Sequence, residues 1–200
     1  MILKFIKYIF LLIIIIHQST LAGEPPSSKA VGIFLTTGVG ARLPVGRFAN
    51  STNLGYGLTV DVSYTDSDNL PIFIFARLGY EQFPGSQDFY QESDYSNYST
   101  TVVPISVGCR YYFSPLVESA ILLIPVFEGS VSYSYFHVLN EFKVDANKLN
   151  YTEDLWKFGG TIGAGISMFI MEIMANYTYY QSNQYFSINL NVRLPLFVSL

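Results

Sequence analysis

Alternation of apolar and polar residues with a period of two is the feature that most constrains this chain. Residues 56–65 show it most clearly, because one face carries Tyr56, Leu58, Val60, Val62 and Tyr64. The positions between them hold glycine, threonine, aspartate and serine, and residues 158–168 and 186–194 repeat the pattern. Side chains alternate between the two faces of a β-strand, so the pattern predicts strands with one apolar and one polar face.

Strands of this kind recur along the whole chain. The pattern predicts eight of them, over 31–42, 55–65, 71–82, 101–113, 120–135, 155–168, 170–181 and 184–196. The connections after the first, third and fifth strands are long (43–54, 83–100 and 136–154), whereas the others are short. Long loops at one end and short turns at the other are typical of an up-and-down antiparallel barrel.

The polar faces indicate which side of the barrel meets water. A water-facing surface is rich in lysine and glutamate, but Lys157 is the only lysine within a predicted strand and charged residues make up only 13% of the chain. Small polar residues fit a narrow interior, which leaves the apolar face toward lipid. The sequence therefore predicts an all-β, eight-stranded antiparallel transmembrane barrel. A soluble secreted barrel that binds a small apolar ligand in its interior is the alternative.

The N-terminal residues predict export. Lys4 and Lys7 precede an apolar run over 8–16, and the small residues Thr20 and Ala22 follow, as in a secretory signal peptide. The apolar run is shorter than the ~20 residues that a membrane-spanning helix needs. We expect a signal peptide over 1–22, a periplasmic tether over 23–30 and the barrel over 31–200. The expected location is the bacterial outer membrane.

Aromatic residues cluster near the ends of the predicted apolar faces. Tyr56 and Tyr64 are eight residues apart, which gives ~21 Å along the membrane normal for a strand tilted by ~40°, close to the ~25 Å apolar band of such barrels. The predicted girdle at the loop end consists of Tyr56, Tyr80, Tyr133, Tyr135, Phe158, Tyr177, Tyr179 and Phe186, and the one at the turn end of Tyr64, Tyr111 and Phe113.

Four arginines and four acids fall on the predicted polar faces. They are Arg42, Asp61, Arg77, Glu81, Arg110, Glu128, Glu172 and Arg193. Buried charges are costly unless they are paired, and arginine binds carboxylates with two parallel hydrogen bonds. The balanced set predicts a plug of ion pairs inside the barrel. A path for a solute or proton is the alternative, although eight strands leave little room for one.

The remaining residues argue against several kinds of chemistry. Fifteen acidic against eleven basic residues and a pI near 5.1 disfavour nucleic-acid binding. His137 is the single histidine after the predicted signal peptide and has no serine beside it on its face, so no catalytic site is expected. The lone Cys109 falls on the lipid face, and the sequence predicts no metal site and no cofactor.

The loop over 83–100 is the most suggestive surface. It sets Tyr90, Tyr95 and Tyr98 among serine, asparagine and glutamine, a composition found in binding loops. A partner at the cell surface would therefore meet this loop and the loop over 136–154. A hydrophilic loop without a function is the alternative.

Three stretches resemble a known family. Gly-Ala-Arg-Leu-Pro-Val-Gly-Arg-Phe at 40–48, Gly-Cys-Arg-Tyr-Tyr-Phe at 108–113 and Gly-Gly-Thr-Ile-Gly-Ala-Gly at 159–165 are similar to the small outer-membrane β-barrel domain family, which includes the OmpA transmembrane domain, OmpX and OmpW. The resemblance implies a structural or surface-interaction role without enzymatic activity, outer-membrane lipid around the barrel, and the barrel-assembly machinery as a partner. Its OmpW branch implies a narrow channel for small hydrophobic solutes as the alternative function.

The C-terminus departs from the family pattern. Such barrels usually end in an aromatic residue that the assembly machinery recognises, whereas this chain ends in Leu200, three residues after Phe197. The resemblance therefore assigns the signal to Phe197 or implies a weaker variant of it.

Overall fold

The structure, a computed structural model, describes residues 31–66, 70–116 and 123–199. The predicted signal peptide (1–22) and tether (23–30) lie outside the described residues, as do residues within the turns that follow the second and fourth strands.

Eight strands make up most of the described chain. They are β1 (Val31–Val45), β2 (Gly55–Asp66), β3 (Leu70–Pro84), β4 (Tyr95–Tyr112), β5 (Ile124–Phe142), β6 (Tyr151–Met168), β7 (Met171–Tyr180) and β8 (Asn183–Ser199). Each strand pairs antiparallel with the next along the chain, and β8 pairs with β1 to close the ring. The predicted eight-stranded up-and-down antiparallel barrel is confirmed.

Short helices occur in the connections at one end of this barrel, the loop end. Helix α1 (Gln87–Glu92) follows Ser86, whose hydroxyl accepts a hydrogen bond from the Phe89 N–H at 3.2 Å. Single 3-10 turns occupy Gly46–Asn50 and Val144–Ala146. Within the described residues, no helix is long and apolar enough to cross a membrane.

The predicted long connections were wrong in their bounds. The connection predicted over 83–100 shrinks to 85–94, and the one predicted over 136–154 shrinks to 143–150, since the strands on both sides are longer than predicted. Tyr95 still pairs with Phe142 across β4 and β5. Inter-strand hydrogen bonds need no apolar face, so the strands continue past the point where the alternation fades. As a result, β4, β5 and β6 rise above the rest of the loop end as one wall.

The two faces of the sheet differ in chemistry. Apolar side chains such as Val60, Leu78 and Ile188 are exposed on the outside, whereas Arg110 and Glu128 are 0% and 1% exposed inside. A soluble barrel has the opposite arrangement. The alternation seen in the sequence therefore separates an apolar exterior from a polar interior.

Candidate functional site

A cluster of paired charges fills the middle of the interior. Arg77 bridges two acids, with Nη1 2.9 Å from Glu128 Oε1 and Nη2 3.2 Å from Asp61 Oδ2. Arg110 reaches the same acids, with Nη2 2.9 Å from Glu128 Oε2 and 3.3 Å from Asp61 Oδ2. Asp61 is opposite Arg77 across β2 and β3, and Arg110 is opposite Glu128 across β4 and β5. The strand register therefore sets two of these pairs directly.

Glu172, which follows the turn between β6 and β7, extends the cluster. Its Oε1 lies 2.8 Å from Arg193 Nη2 and accepts a hydrogen bond from the Tyr112 hydroxyl at 2.7 Å. Its Oε2 lies 3.7 Å from Arg110 Nη1. Six of the eight predicted charges thus form one connected group.

The other two predicted charges, Arg42 and Glu81, pair separately toward the loop end. Arg42 Nε lies 2.8 Å from Glu81 Oε1, and Arg42 Nη1 donates a hydrogen bond to Asn189 Oδ1 at 2.7 Å. The Tyr185 hydroxyl donates to Glu81 Oε2 at 2.5 Å. All eight predicted side chains therefore lie in the interior, each within ion-pair distance of an opposite charge.

Aromatic rings also lie inside the barrel, although the sequence pattern was used to predict only charged residues there. The Phe75 ring contacts two guanidinium groups, with its centre 4.6 Å from Arg77 Cζ and 5.0 Å from Arg110 Cζ. The sequence contains the information needed to predict this position, because Phe75 and Arg77 are two residues apart on β3 and so share a face. The same alternation therefore predicts an inward position for the Phe75 ring as well as for the charged groups.

An aromatic cap closes the interior at the loop end. It consists of Val102 and five aromatic residues, which are Phe48, Phe83, Phe136, Tyr180 and Tyr185. Phe48 comes from the 3-10 turn after β1, and its ring centre lies 4.9 Å from that of Phe83. Beneath the cap, a polar cavity of about 40 Å³ has room for a few water molecules. The cap and the charge cluster leave the barrel filled at two levels.

An open cavity lies on the outer side of the cap, and we call this cavity the mouth pocket. Its volume is about 410 Å³, and Phe48, Phe136 and Leu155 contribute to its lining together with Phe89, Tyr95, Tyr98, Asn140, Tyr151, Glu153, Arg47 and Lys157. The wall of β4, β5 and β6 carries most of these side chains. The pocket therefore exists because that wall rises above the shorter strands.

The connections around the mouth pocket are packed rather than loose. The predicted binding residues Tyr90, Tyr95 and Tyr98 are not in one loop, because Tyr90 belongs to α1 and the other two belong to β4. The Tyr90 hydroxyl donates to the Tyr98 carbonyl at 2.9 Å, and the Phe89 ring centre lies 4.9 Å from that of Tyr95. Of the three tyrosines, Tyr95 and Tyr98 line the mouth pocket.

Two lysines tie the connection after β5 to the connection after β3. Lys143 Nζ donates to the Tyr90 and Ser93 carbonyls, both at 2.7 Å, and Lys148 Nζ lies 2.7 Å from Asp94 Oδ2. The hydrogen bond and charge of Lys148 lower the pKa of Asp94, and Asp94 raises the pKa of Lys148 in the same way.

The predicted girdle residues all lie on the exterior. Most are exposed, and Tyr135 and Tyr177 are half-buried. The predicted girdles leave out Trp156, which is exposed and stacks on Tyr133, with ring centres 4.8 Å apart and an interplanar angle of 14°. Trp156 precedes a predicted girdle residue of β6 by two positions, so the alternation could have identified it.

His137 pairs with an acid at the rim of the barrel. Its Nδ1 lies 2.7 Å from Asp154 Oδ1, which also accepts a hydrogen bond from the Tyr135 hydroxyl at 2.7 Å. Cys109 is exposed on the exterior. In the residues that the structure describes, no three His, Cys, Asp or Glu side chains come together as metal ligands would.

Comparison with known proteins gives similarity to solved structures alone. No family model and no curated protein matches the chain. The Neisserial surface protein A is 10% identical with a TM-score of 0.49, over 84% of this chain and 99% of that one. The N-terminal β-barrel domain of Pseudomonas aeruginosa OprF is 12% identical with a TM-score of 0.45, over 84% and 100%. The attachment invasion locus protein Ail of Yersinia pestis is 12% identical with a TM-score of 0.42, over 84% and 99%.

Proposed function

We propose that this chain is a bacterial outer-membrane barrel whose interior is closed and whose loop end binds a partner outside the cell. The observation that carries the proposal is the reversed distribution of polarity, with apolar side chains on the exterior and paired charges inside. Such an exterior is stable in lipid and not in water. The exposed tyrosines at both edges of the apolar belt, Tyr56 and Tyr64 among them, fit the two membrane interfaces.

The filled interior favours a role at the surface over transport. A pore that selects ions favours one sign of charge, whereas here arginines and acids neutralise one another. The aromatic cap adds a second barrier at the loop end. The wall of β4, β5 and β6 instead presents an open pocket to the outside, which is where a surface partner would bind.

The alternative of a soluble ligand-binding barrel needs an apolar interior. This interior holds Arg42, Arg110 and Glu128, and it leaves a cavity of about 40 Å³ beneath the cap. An apolar ligand has neither the room nor the surroundings to bind there.

Assembly of the barrel would use its last strand. Phe197 is exposed on the outer face of β8 and pairs with Ile33 of β1, where the ring closes. We propose that the barrel-assembly machinery recognises Phe197 on this strand.

Site-specific labelling in intact cells tests the proposed orientation. In a Cys109→Ser background, Asp145→Cys places a thiol in the connection after β5, and Leu116→Cys places one at the turn end. A membrane-impermeant maleimide should label Asp145→Cys in intact cells and Leu116→Cys only after the cells are broken. Labelling of Leu116→Cys alone in intact cells would reverse the orientation, and recovery of the protein in the soluble fraction would refute the membrane location.

A further inference from the structure

We propose that the mouth pocket binds one acidic sugar unit, a pyranose ring that bears a single carboxylate. This inference rests on the proposed function and names the class of ligand that the loop end would recognise. Three features of the pocket carry it: flat aromatic faces, polar side chains between them, and Lys157 and Arg47, which form no ion pair among the described residues.

Aromatic rings form much of the pocket wall. Phe89, Tyr95 and Tyr98 come from α1 and β4, and Tyr151 comes from β6. The contacts among Phe89, Tyr95 and Tyr98 hold these rings in place, with ring centres 4.9 to 6.0 Å apart. Fixed rings offer flat apolar surface at low entropic cost, which suits the C–H face of a sugar ring.

Polar groups between the rings argue against a purely apolar ligand. Asn140 is 3% exposed, and the hydrogen bond of its side chain within the described residues is a long contact of 3.4 Å from Nδ2 to the Val138 carbonyl. Ser51, Ser182 and Asn183 also line the pocket. An acyl chain would cover these groups without replacing their hydrogen bonds to water, which is unfavourable. Sugar hydroxyl groups both donate and accept, so they can pair with amides and hydroxyls alike.

The charges of the pocket favour one negative group on the ligand. Lys157 and Arg47 line it, and within the described residues neither lies within ion-pair distance of an acid. Lys157 Nζ donates to Asn183 Oδ1 at 2.5 Å and lies 4.8 Å from the centre of the Phe136 ring. Glu153 lines the same pocket, and its repulsion disfavours a ligand with many negative charges.

The size and position of the pocket fit a terminal sugar. About 410 Å³ lies in the lower part of the ~300–1,000 Å³ range of small-molecule sites. The pocket opens away from the barrel, so one unit can enter while the rest of a glycan chain stays outside.

A matched pair of sugars tests the proposal. Methyl β-D-glucuronide and methyl β-D-glucoside share a ring and differ in one carboxylate, and each would be titrated by NMR against the full barrel in lipid nanodiscs. We expect the glucuronide to bind about fivefold more tightly or better. In Lys157→Gln the ratio of the two affinities should fall to about one. Lys148→Gln is the control: in the wild type Lys148 pairs with Asp94, so this variant should still prefer the glucuronide.

Further measurements separate the alternatives. Tyr151→Ala should weaken both sugars equally, because it removes a ring and no charge. Failure of both sugars to bind, a preference that survives Lys157→Gln, or displacement of the glucuronide by decanoate would overturn the proposal. Binding of a polysulfated sugar, with no binding of the glucuronide, would also overturn the proposal. The labelling of Asp145→Cys in cells reports separately on the proposed function, so either idea can fail alone.

Discussion

Glu128 is the side chain on which the interior ion pairs converge. Both of its oxygens accept hydrogen bonds from Arg77, and its Oε2 accepts two more from Arg110, all between 2.9 and 3.0 Å. Glu128→Ala would remove a carboxylate that pairs with both Arg77 and Arg110, and would leave their positive charges incompletely neutralised in a buried site. We expect it to lower the free energy of unfolding by about 3–5 kcal/mol, measured by urea unfolding in lipid vesicles.

An exposed acid provides the control for that change. Asp145 is exposed and forms no ion pair among the described residues, so Asp145→Ala should leave the urea midpoint close to that of the wild type. Equal midpoints for Glu128→Ala and Asp145→Ala would show that water screens the interior and that the ion pairs contribute little.

The Asp94–Lys148 pair predicts how the loop end responds to pH. The pKa of Asp94 is lowered in the folded state, so its contribution is complete above the ordinary carboxyl pKa of about 4 and is lost as the pH falls through the lowered value. The pKa of Lys148 is raised, so the pair weakens again only in strongly alkaline solution. A ¹³C NMR titration of the Asp94 carboxyl group should give a midpoint below about 3.9.

Removal of the lysine tests the cause of that shift. Lys148→Gln should move the Asp94 midpoint back toward its ordinary value, and Lys143→Gln should move it less because Lys143 binds backbone carbonyls. Both groups are exposed, so high salt should reduce the shift. An unchanged midpoint in Lys148→Gln would refute the ion pair.

At the scale of a strand, the exterior face favours apolar side chains and the interior face favours polar ones. Val60 lies on the exterior of β2 and is 47% exposed, midway between Tyr56 and Tyr64. Val60→Arg should cost about 2–4 kcal/mol, the scale for arginine at the midplane of a bilayer. Leu54→Arg, an exposed position just before β2, should cost far less. Refolding into vesicles that tolerates both changes equally would invert the proposed faces.

Close approach of neighbouring strands limits side-chain size on the inward face of β6. A Cβ at Gly165 would lie 2.1 Å from the Ile173 carbonyl oxygen of β7, whereas a Cβ at outward-facing Gly160 would meet nothing closer than 3.5 Å. Gly165→Ala should therefore lower stability by about 1–3 kcal/mol, and Gly160→Ala should be neutral or slightly stabilising. Urea unfolding of the two variants checks this, and equal midpoints would contradict it.

At the scale of the whole molecule, two barriers in series predict a barrel that does not conduct. The aromatic cap closes the loop end, and the charge cluster fills the interior beneath it. Planar-bilayer recordings of the wild type should show no steady current. Phe48→Ala, which removes one part of the cap, should also stay closed, since the ion pairs remain. Steady, ion-selective currents from the wild type would instead support the channel alternative.

The sequence by itself determined the strands and their faces. A period of two is a local property, so the positions of Asp61, Arg77 and Glu128 on inward faces followed from their neighbours along the chain. Eight such segments without a helical pattern left a closed antiparallel barrel as the simplest fold. The same alternation also places Phe75 on an inward face and Trp156 on an outward one.

Only the tertiary structure decided which groups meet. Arg77 and Glu128 are 51 residues apart, and Tyr185 and Glu81 are 104 apart, so their contacts depend on how the sheet staggers as it closes. Backbone pairing beyond the apolar belt likewise sets two features of the loop end. These are the position of Phe48 in the aromatic cap and the height of the wall of β4, β5 and β6. Periodicity sets the direction of a side chain, whereas register and closure bring distant side chains together.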